Sequence, residues 1–246
     1  MGYDGLSATE LARRLGTVQC LCLKKVTSTM DIVHEMAAQG APGGTLVLAD
    51  EQTQGRGRMG KRWASPPEAG VWLGYLWRGE NQPSTGVISL RVGLSLVESL
   101  LGLGVESKLK WPNDVMIDER KVAGILCEAR GSAESGDWIA IGVGINMHGP
   151  FADELSECAV ALDEVITGVA RIDVLAEFIP KLATLSADNV LDERERSFFE
   201  AHDWLVGKEL VEPLAGRASG ISDDGSLLVD TGSGLKSVFG GSVVQA

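Results

Sequence analysis

The chain has 246 residues, 44% of them hydrophobic and 23% charged, and a formal net charge of −12. That length holds one large domain and a smaller one, and the composition is that of a globular chain with a core rather than of a disordered one. The acidic balance argues against non-specific nucleic-acid binding, which takes a basic surface. No apolar run nears the ~18 residues of a membrane span and no basic segment leads into an apolar core at the N-terminus, so the cytoplasm is the expected compartment.

Ser7-Ala8-Thr9-Glu10 has capping-box spacing and leads a short amphipathic helix that Gly16 ends. Cys20 and Cys22 share a face if 18–24 is a strand; with Cys127 and Cys158 they lack C-x-x-C spacing and read as buried thiols, not as a zinc site or a disulfide framework. A second helix is predicted over 30–39, capped by Ser28 or Thr29 and stopped by Gly40, and 45–50 (TLVLAD) reads as a buried strand. Residues 70–78 place Val71, Leu73, Tyr75 and Trp77 on one face, as in a half-buried strand. Over 84–101, Ile88, Val92, Leu96, Val97 and Leu100 recur at helical spacing, and strands follow at 108–111, 122–128 and 138–145. From 172 to 202 the pattern is helical, interrupted at Pro180. Beyond it, short β segments at 208–211, 218–221, 227–229 and 236–239 alternate with glycines, which predicts a small appended β-barrel. The expectation is a mixed α/β catalytic domain over 1–202 and a barrel over 203–246.

Gly55-Arg56-Gly57-Arg58-Met59-Gly60 formally matches G-x-G-x-x-G, but Lys61-Arg62-Trp63-Ala64-Ser65 runs into Pro66-Pro67, where a dinucleotide fingerprint must open a helix. The phosphate loop G-x-x-x-x-G-K-[ST] fails as well, because Arg62 stands where the magnesium-binding hydroxyl belongs. What remains is a flexible loop that carries Arg56, Arg58, Lys61 and Arg62 in an otherwise acidic chain. Four such cations repel one another, and the glycines let the backbone bend round a ligand, so the loop is expected to bind an anion and to order as it does so.

Lys110-Trp111-Pro112-Asn113-Asp114 ends a strand, where Pro112 makes a turn and the polar side chains converge. Lys121 enters the next strand with Val122-Ala123-Gly124-Ile125-Leu126, and Gly124 inside it predicts close approach of a ligand. His34, His148 and His202 are scattered without metal-ligand spacing, and no nucleophile–base constellation is recognisable.

With these motifs in this order, joined by Ser28-Thr29, Gln52 and Gly142-Val143-Gly144-Ile145-Asn146-Met147, the sequence resembles the biotin protein ligases. The resemblance covers roughly residues 25–150 by motif and the C-terminal segment by character. It implies an α+β fold: a catalytic domain like that of class II aminoacyl-tRNA synthetases, a mixed sheet with flanking helices, plus a C-terminal SH3-like barrel. It implies that Ser28, Thr29, Gln52, Arg56, Gly57, Arg58, Lys121 and the adjoining Gly124 line a biotin site, with Met30, where some relatives carry Asn, limited to a backbone contact. It implies that Arg58, Trp63, Lys110, Asn113 and Asn146 lie near ATP, and Asp114 near Mg2+.

The activity implied is formation of biotinyl-5'-AMP, then transfer of biotin to a lysine of a biotin carboxyl carrier protein, with no nucleic-acid or membrane partner. Arg56, Arg58, Lys110, Lys121 and Asp114 are the expected catalytic set. Homodimers occur in the family, and the sequence leaves that point open. A lipoate or octanoate ligase of the same fold is the rival enzyme. A biotin-sensing repressor is the rival of another class, and the segment ahead of Ser28 is too short for its winged helix.

Overall fold

Ser7 caps the first helix as its spacing predicts: its side chain accepts a hydrogen bond from Glu10 N, and the Ser7 N–H donates to the Glu10 carboxylate. The structure is a computed structural model describing residues 2–149 and 157–245. Helix α1 (Ala8–Leu15) ends at Gly16, whose φ of 67° is left-handed. Ahead of it, β1 (Gly2–Tyr3) and β2 (Leu6–Ser7) form a small hairpin that the sequence reading lacks. Buried Arg171 holds that hairpin, bonding Asp4 and Asp50 and standing 4.0 Å over the Tyr3 ring.

The large domain is built on a seven-stranded sheet of order β3-β4-β5-β9-β8-β7-β6. β3 (Gln19–Val26) and β4 (Thr45–Gln52) are parallel, as they must be when α2 (Thr29–Ala38) crosses between them. β5 (Gly70–Trp77), β9 (Gly136–Asn146), β8 (Arg120–Ser132), β7 (Asp114–Ile117) and β6 (Lys108–Lys110) continue the sheet antiparallel. Three expectations need correction. β5 is buried on both faces, because α2 lies on the face opposite Val71, Leu73 and Tyr75. β7 was not predicted: four residues after the Pro112 turn are too short to show a period. β8 outruns its apolar segment, since its ladder with β9 continues through polar residues to Ser132 and Gly136.

Helix α3 (Thr85–Gly102) covers the other face of the sheet together with α4 (Arg171–Leu182) and α5 (Glu193–Ala201). By length and a mean hydropathy of 1.3 α3 could cross a bilayer, although Ser, Gly, Arg and Glu interrupt its apolar run. It is 67% buried within the protein, as a core helix is. Pro180 does not break the helical stretch either. It lies in the last turn of α4, where its missing N–H costs one ladder bond, and the break falls after Leu182. Arg91, buried in α3, pins that break by bonding the carbonyls of Ser186, Asp188 and Val190 and the Glu195 carboxylate.

The C-terminal sheet is antiparallel, of order β13-β12-β11-β10-β14, with β10 (Glu209–Glu212), β11 (Gly216–Ile221), β12 (Leu227–Asp230), β13 (Leu235–Val238) and an unpredicted β14 (Val244–Gln245). The connecting segment joins the large sheet: Leu109 N donates to His202 O at 2.8 Å and Trp204 N donates to Leu109 O at 3.1 Å. Between them Asp203 is 3% exposed, and burial pushes its carboxyl up to about 6 against the hydrogen bond from Leu205 N and the charges of Lys108 and Lys208.

A raised carboxyl pKa means that the folded state binds the proton more tightly than the unfolded one, so Asp203 contributes stability below pH 4 that is lost as pH rises through about 6. Urea unfolding of the native protein and Asp203→Asn across pH 4–7 should show the variant gaining about 1–3 kcal/mol relative to the native chain over that window. A pH-independent difference between the two would remove Asp203 from this account.

Candidate active site

Where β3 hands over to α2, Ser28 and Thr29 divide two roles. Ser28 caps the helix by accepting from Met30 N at 3.3 Å. Thr29 donates its N–H and hydroxyl to Gln52 Oε1 at 2.9 and 3.1 Å, and Gln52 Nε2 donates to Ser65 Oγ at 2.8 Å. Gln52 thus ties the helix start to the foot of the glycine–arginine loop, all of it at the ends of parallel strands β3 and β4.

That loop is a hairpin. Gly57 N donates to Lys61 O at 2.7 Å and Trp63 N to Gly55 O at 2.9 Å, with bridges Gln52–Ser65 and Arg56–Arg62 closing its stem. Gly55 is required by this packing, since an added Cβ would collide with the Trp63 carbonyl, and the tip turns through left-handed Met59 and Gly60. Three of the hairpin's four cations have separate partners. Arg56 Nη2 lies 3.0 Å from Asp31 Oδ1 and 3.6 Å from Glu128 Oε2, Arg58 donates to Asn113 Oδ1 at 3.1 Å, and Arg62 donates to Thr53 O at 2.9 Å.

Behind Arg56 stands a buried pair that the sequence reading passed over. Trp138 Nε1 donates to His34 Nδ1 at 3.0 Å, so the proton sits on His34 Nε2, 2.8 Å from Glu128 Oε2. Burial holds the His34 pKa below its usual value, with Glu128 opposing.

The β6–β7 turn brings the second motif together. Asn113 Nδ2 donates to Ile125 O at 2.8 Å, which orients the amide and leaves its oxygen for Arg58. Lys121 Nζ lies 2.6 Å from Asp114 Oδ1 and 4.9 Å from the Trp63 ring centroid. Burial lowers the pKa of Lys110; Asp114 counters this and the charges of Lys121 and Lys208 add to it. Asn146 Nδ2 donates to the carbonyls of Lys121 and Val160, binding β8 to the segment at Cys158–Val160 rather than pointing at open space.

All the side chains selected from the sequence, from Ser28 to Asn146, line one cavity of about 710 Å³. Its floor is made by Gly124 and Gly144, which face each other across β8 and β9, and by Gly142. At Gly124 the protein's own side chains come close: an added Cβ would stand 2.8 Å from the Trp63 ring and 3.0 Å from Lys121 Nζ. Trp63 fills the space that the glycines leave, with its Nε1 buried and unpartnered among the described residues.

Met30 also rests on the floor, its sulfur against Gly142. Residues that no motif marked also line the cavity: Cys158, Ala159 and, from the C-terminal domain, Gly241 to Val243. Ser242 Oγ reaches Met59 Sδ at 3.4 Å, so the C-terminal segment touches the hairpin tip. Cys158 is exposed, not buried as expected, while Cys20 and Cys22 share a face with their sulfurs 3.9 Å apart. Among the described residues no three His, Cys, Asp or Glu side chains converge on a metal-sized site. Asp114 is the one carboxylate that lines the cavity among the described residues, and so the one acidic side chain there that could hold a magnesium ion.

Residues 22–146 match the Biotin/lipoate A/B protein ligase family, and residues 210–244 match the Biotin protein ligase C terminal domain. The Bifunctional ligase/repressor BirA of Bacillus subtilis (strain 168) is 30% identical over 236 residues, 87% of this chain and 70% of its own. The Biotin--[acetyl-CoA-carboxylase] ligase of Mycobacterium tuberculosis is 31% identical over 234 residues, covering 89% of this chain and 85% of that protein. Among solved structures, the biotin protein ligase from Aquifex aeolicus in complex with biotin and ATP superposes with a TM-score of 0.77 at 28% identity, over 92% of this chain and 98% of that one.

The glycine floor yields a direct test of the hairpin's seat. Gly144→Ala would drive its methyl into the Trp63 indole, which must then leave the cavity. Trypsin cleavage at Arg56, Arg58, Lys61 and Arg62 should accelerate on the order of tenfold, as expected when about 1–2 kcal/mol of seating is lost. Unchanged cleavage in a folded Gly144→Ala protein would show that Trp63 does not hold the loop.

Proposed function

The chain belongs to the Biotin/lipoate A/B protein ligase family, and on that premise we propose that its cavity joins biotin to ATP as biotinyl-5'-AMP and delivers the biotin to a lysine of a biotin carboxyl carrier protein. One observation carries the reading: Arg56, Arg58, Lys110 and Lys121 border a single cavity in a chain whose formal net charge is −12. Cations are held there against the general charge of the molecule, as two anionic substrates require.

A carboxylate does not acylate an amine near neutral pH, so its oxygen must first attack the α-phosphorus of ATP and expel pyrophosphate. Two anions then approach closely, and preorganised cations in a site shielded from water lower that barrier most. We assign Lys121 to the biotin carboxylate: it starts β8, and Asp114 and the Trp63 ring restrict its ammonium before substrate arrives. Arg58 and Lys110 take the phosphates, with Asn113 orienting Arg58. Ser28, Thr29 and Gln52 form the end of the biotin pocket nearest α2, with Gly57, Gly124 and the Met30 backbone along it. Trp63 and Asn146 border the nucleotide.

Arg56 stands apart from the Asp114 group and is better suited to anchoring the hairpin through Asp31 and Glu128 than to the reacting atoms. Magnesium carried by ATP would offset phosphate charge, with Asp114 as its protein carboxylate. In the second step the carrier lysine nitrogen attacks the acyl carbon and AMP leaves. The hairpin serves as the lid that keeps water from the mixed anhydride.

The reading extends to the scaffold and setting: a catalytic domain of the class II aminoacyl-tRNA synthetase type over 1–202, an SH3-like barrel over 203–246, and a cytoplasmic reaction supplied with ATP. Two of the relatives named above, from Mycobacterium tuberculosis and Aquifex aeolicus, are called biotin ligases, which favours biotin over lipoate or octanoate. Only the ligase half of the bifunctional relatives' name is carried over, because the acidic balance opposes binding to a phosphate backbone.

Two measurements test this. Incubated with ATP and separately with biotin, lipoate or octanoate, the protein should give a hydroxylamine-trappable adenylate with biotin alone. Lys121→Met should lower single-turnover pyrophosphate release about 10²–10³-fold in a protein folded by circular dichroism, and Lys121→Arg should not restore it, since a planar fork does not replace a compact charge. A folded Lys121→Met enzyme within threefold of the native rate would take Lys121 out of the mechanism.

A further inference from the structure

The tryptophan that begins the C-terminal domain does not line the cavity, yet it touches a cation that does. Trp204 is 8% exposed, its N–H bonded to Leu109 O of β6 and its Nε1 donating to Asp118 O at 2.6 Å in the β7–β8 turn. Lys110 Nζ, from the next residue of β6, stands 4.8 Å from the Trp204 ring centroid. Lys208 Nζ, from the approach to β10, stands 3.2 Å from the same ring and is held 3.1 Å from Glu119 Oε2.

Two ammonium groups from opposite sides of the domain junction therefore share one indole. An ammonium over an indole face is attracted by the ring's negative face, more strongly as both are withdrawn from water. Lys110 has little else to hold it: among the described residues no carboxylate lies within ion-pair distance of it, whereas Lys121 has Asp114. A long, rotatable lysine needs such a partner if its charge is to wait in one place.

We propose that Trp204 is a positioning residue for adenylate formation: it holds the Lys110 ammonium toward the nucleotide phosphates, and through Lys208 makes that position depend on the docking of the C-terminal domain. The proposal rests on the assignment of Lys110 to those phosphates. It reaches a residue outside the cavity and outside every motif that identifies the family in this chain.

The test is a comparison of kcat/KM for ATP in adenylate formation, with biotin affinity as the control. Trp204→Leu should lower kcat/KM for ATP about tenfold with biotin affinity within twofold, and Trp204→Phe should restore most of it, because a benzene ring keeps a cation-binding face. In a Lys110→Ala background Trp204→Leu should have less than a twofold further effect, the non-additivity expected when one residue acts through another. Should Trp204→Leu not fold, fluorinated tryptophans placed at 204 weaken the ring's negative face at nearly constant shape, and kcat/KM for ATP should fall stepwise with fluorine number. Equal losses for Leu and Phe, full additivity with Lys110→Ala, or a flat fluorine series would overturn the proposal. If Lys110→Ala itself leaves kcat/KM for ATP unchanged, the phosphate assignment fails and the role of Trp204 falls with it. An impaired Lys110→Ala with an indifferent Trp204 series sinks the positioning role alone.

Discussion

Cations gathered around one partly buried cavity repel one another and lose hydration, so each needs a partner that leaves it able to meet substrate. The catalytic domain is arranged around that constraint. Lys121 is set against the Asp114 carboxylate and the Trp63 ring, Arg58 against the Asn113 amide, Arg56 against Asp31 and Glu128, and Lys110 against an indole. The partners differ in chemistry, and so do the consequences. A carboxylate next to Lys121 holds the ammonium in place while leaving its remaining donors for an incoming anion. An amide or a ring fixes direction without neutralising, which is the property the proposed phosphate-binding role of Arg58 and Lys110 calls for.

The sheet supplies the distances. The register that pairs Asp114 with Gly124 and Gly124 with Gly144 puts the Lys121 strand beside the β6–β7 turn and opens a glycine floor under both. Side chains at those glycines would fill the cavity. Trp63 descends onto the floor instead, and since it ends the hairpin stem, the same indole both seats the loop and flanks Lys121. On the neighbouring strand Gly74 brings α2 close enough that an added Cβ would stand 2.7 Å from Val33, which sets Ser28 and Thr29 at the pocket's edge. A few backbone approaches that only glycine permits thus decide where the helix, the loop and the cations meet.

The C-terminal domain completes this arrangement from outside. Gly241 to Val243 border the cavity, Ser242 meets the hairpin tip, and the segment His202–Trp204 pairs with β6 beside Lys110. Two of its contacts therefore fall on the hairpin and beside Lys110. Met59, exposed at the hairpin tip, is the residue that Ser242 meets there.

Much of this was legible in the chain alone, for identifiable reasons. Capping at Ser7 and Ser28 depends on residues three or fewer positions away, and the apolar period of α3 repeats for long enough to be read. The glycine–arginine loop, the Lys110–Asp114 turn and Lys121 stand out because charge, proline and glycine occur there in patterns that packing alone does not demand. β5 was read as half-buried and Pro180 as a break because burial on a second face and position within a helix's last turn are set by neighbours remote in sequence. Asp31, Glu128, His34, Trp138 and Trp204 carried no signal, since an acid, a histidine or an indole gains its meaning only from what lies across the fold. The sequence by itself determined which residues carry the charge and where the backbone must bend, because those are properties of residue type and short spacing. Only the tertiary structure decided which partner restrains each cation, because that follows from strand register and domain docking, where contacts join residues as far apart as Lys110 and Trp204.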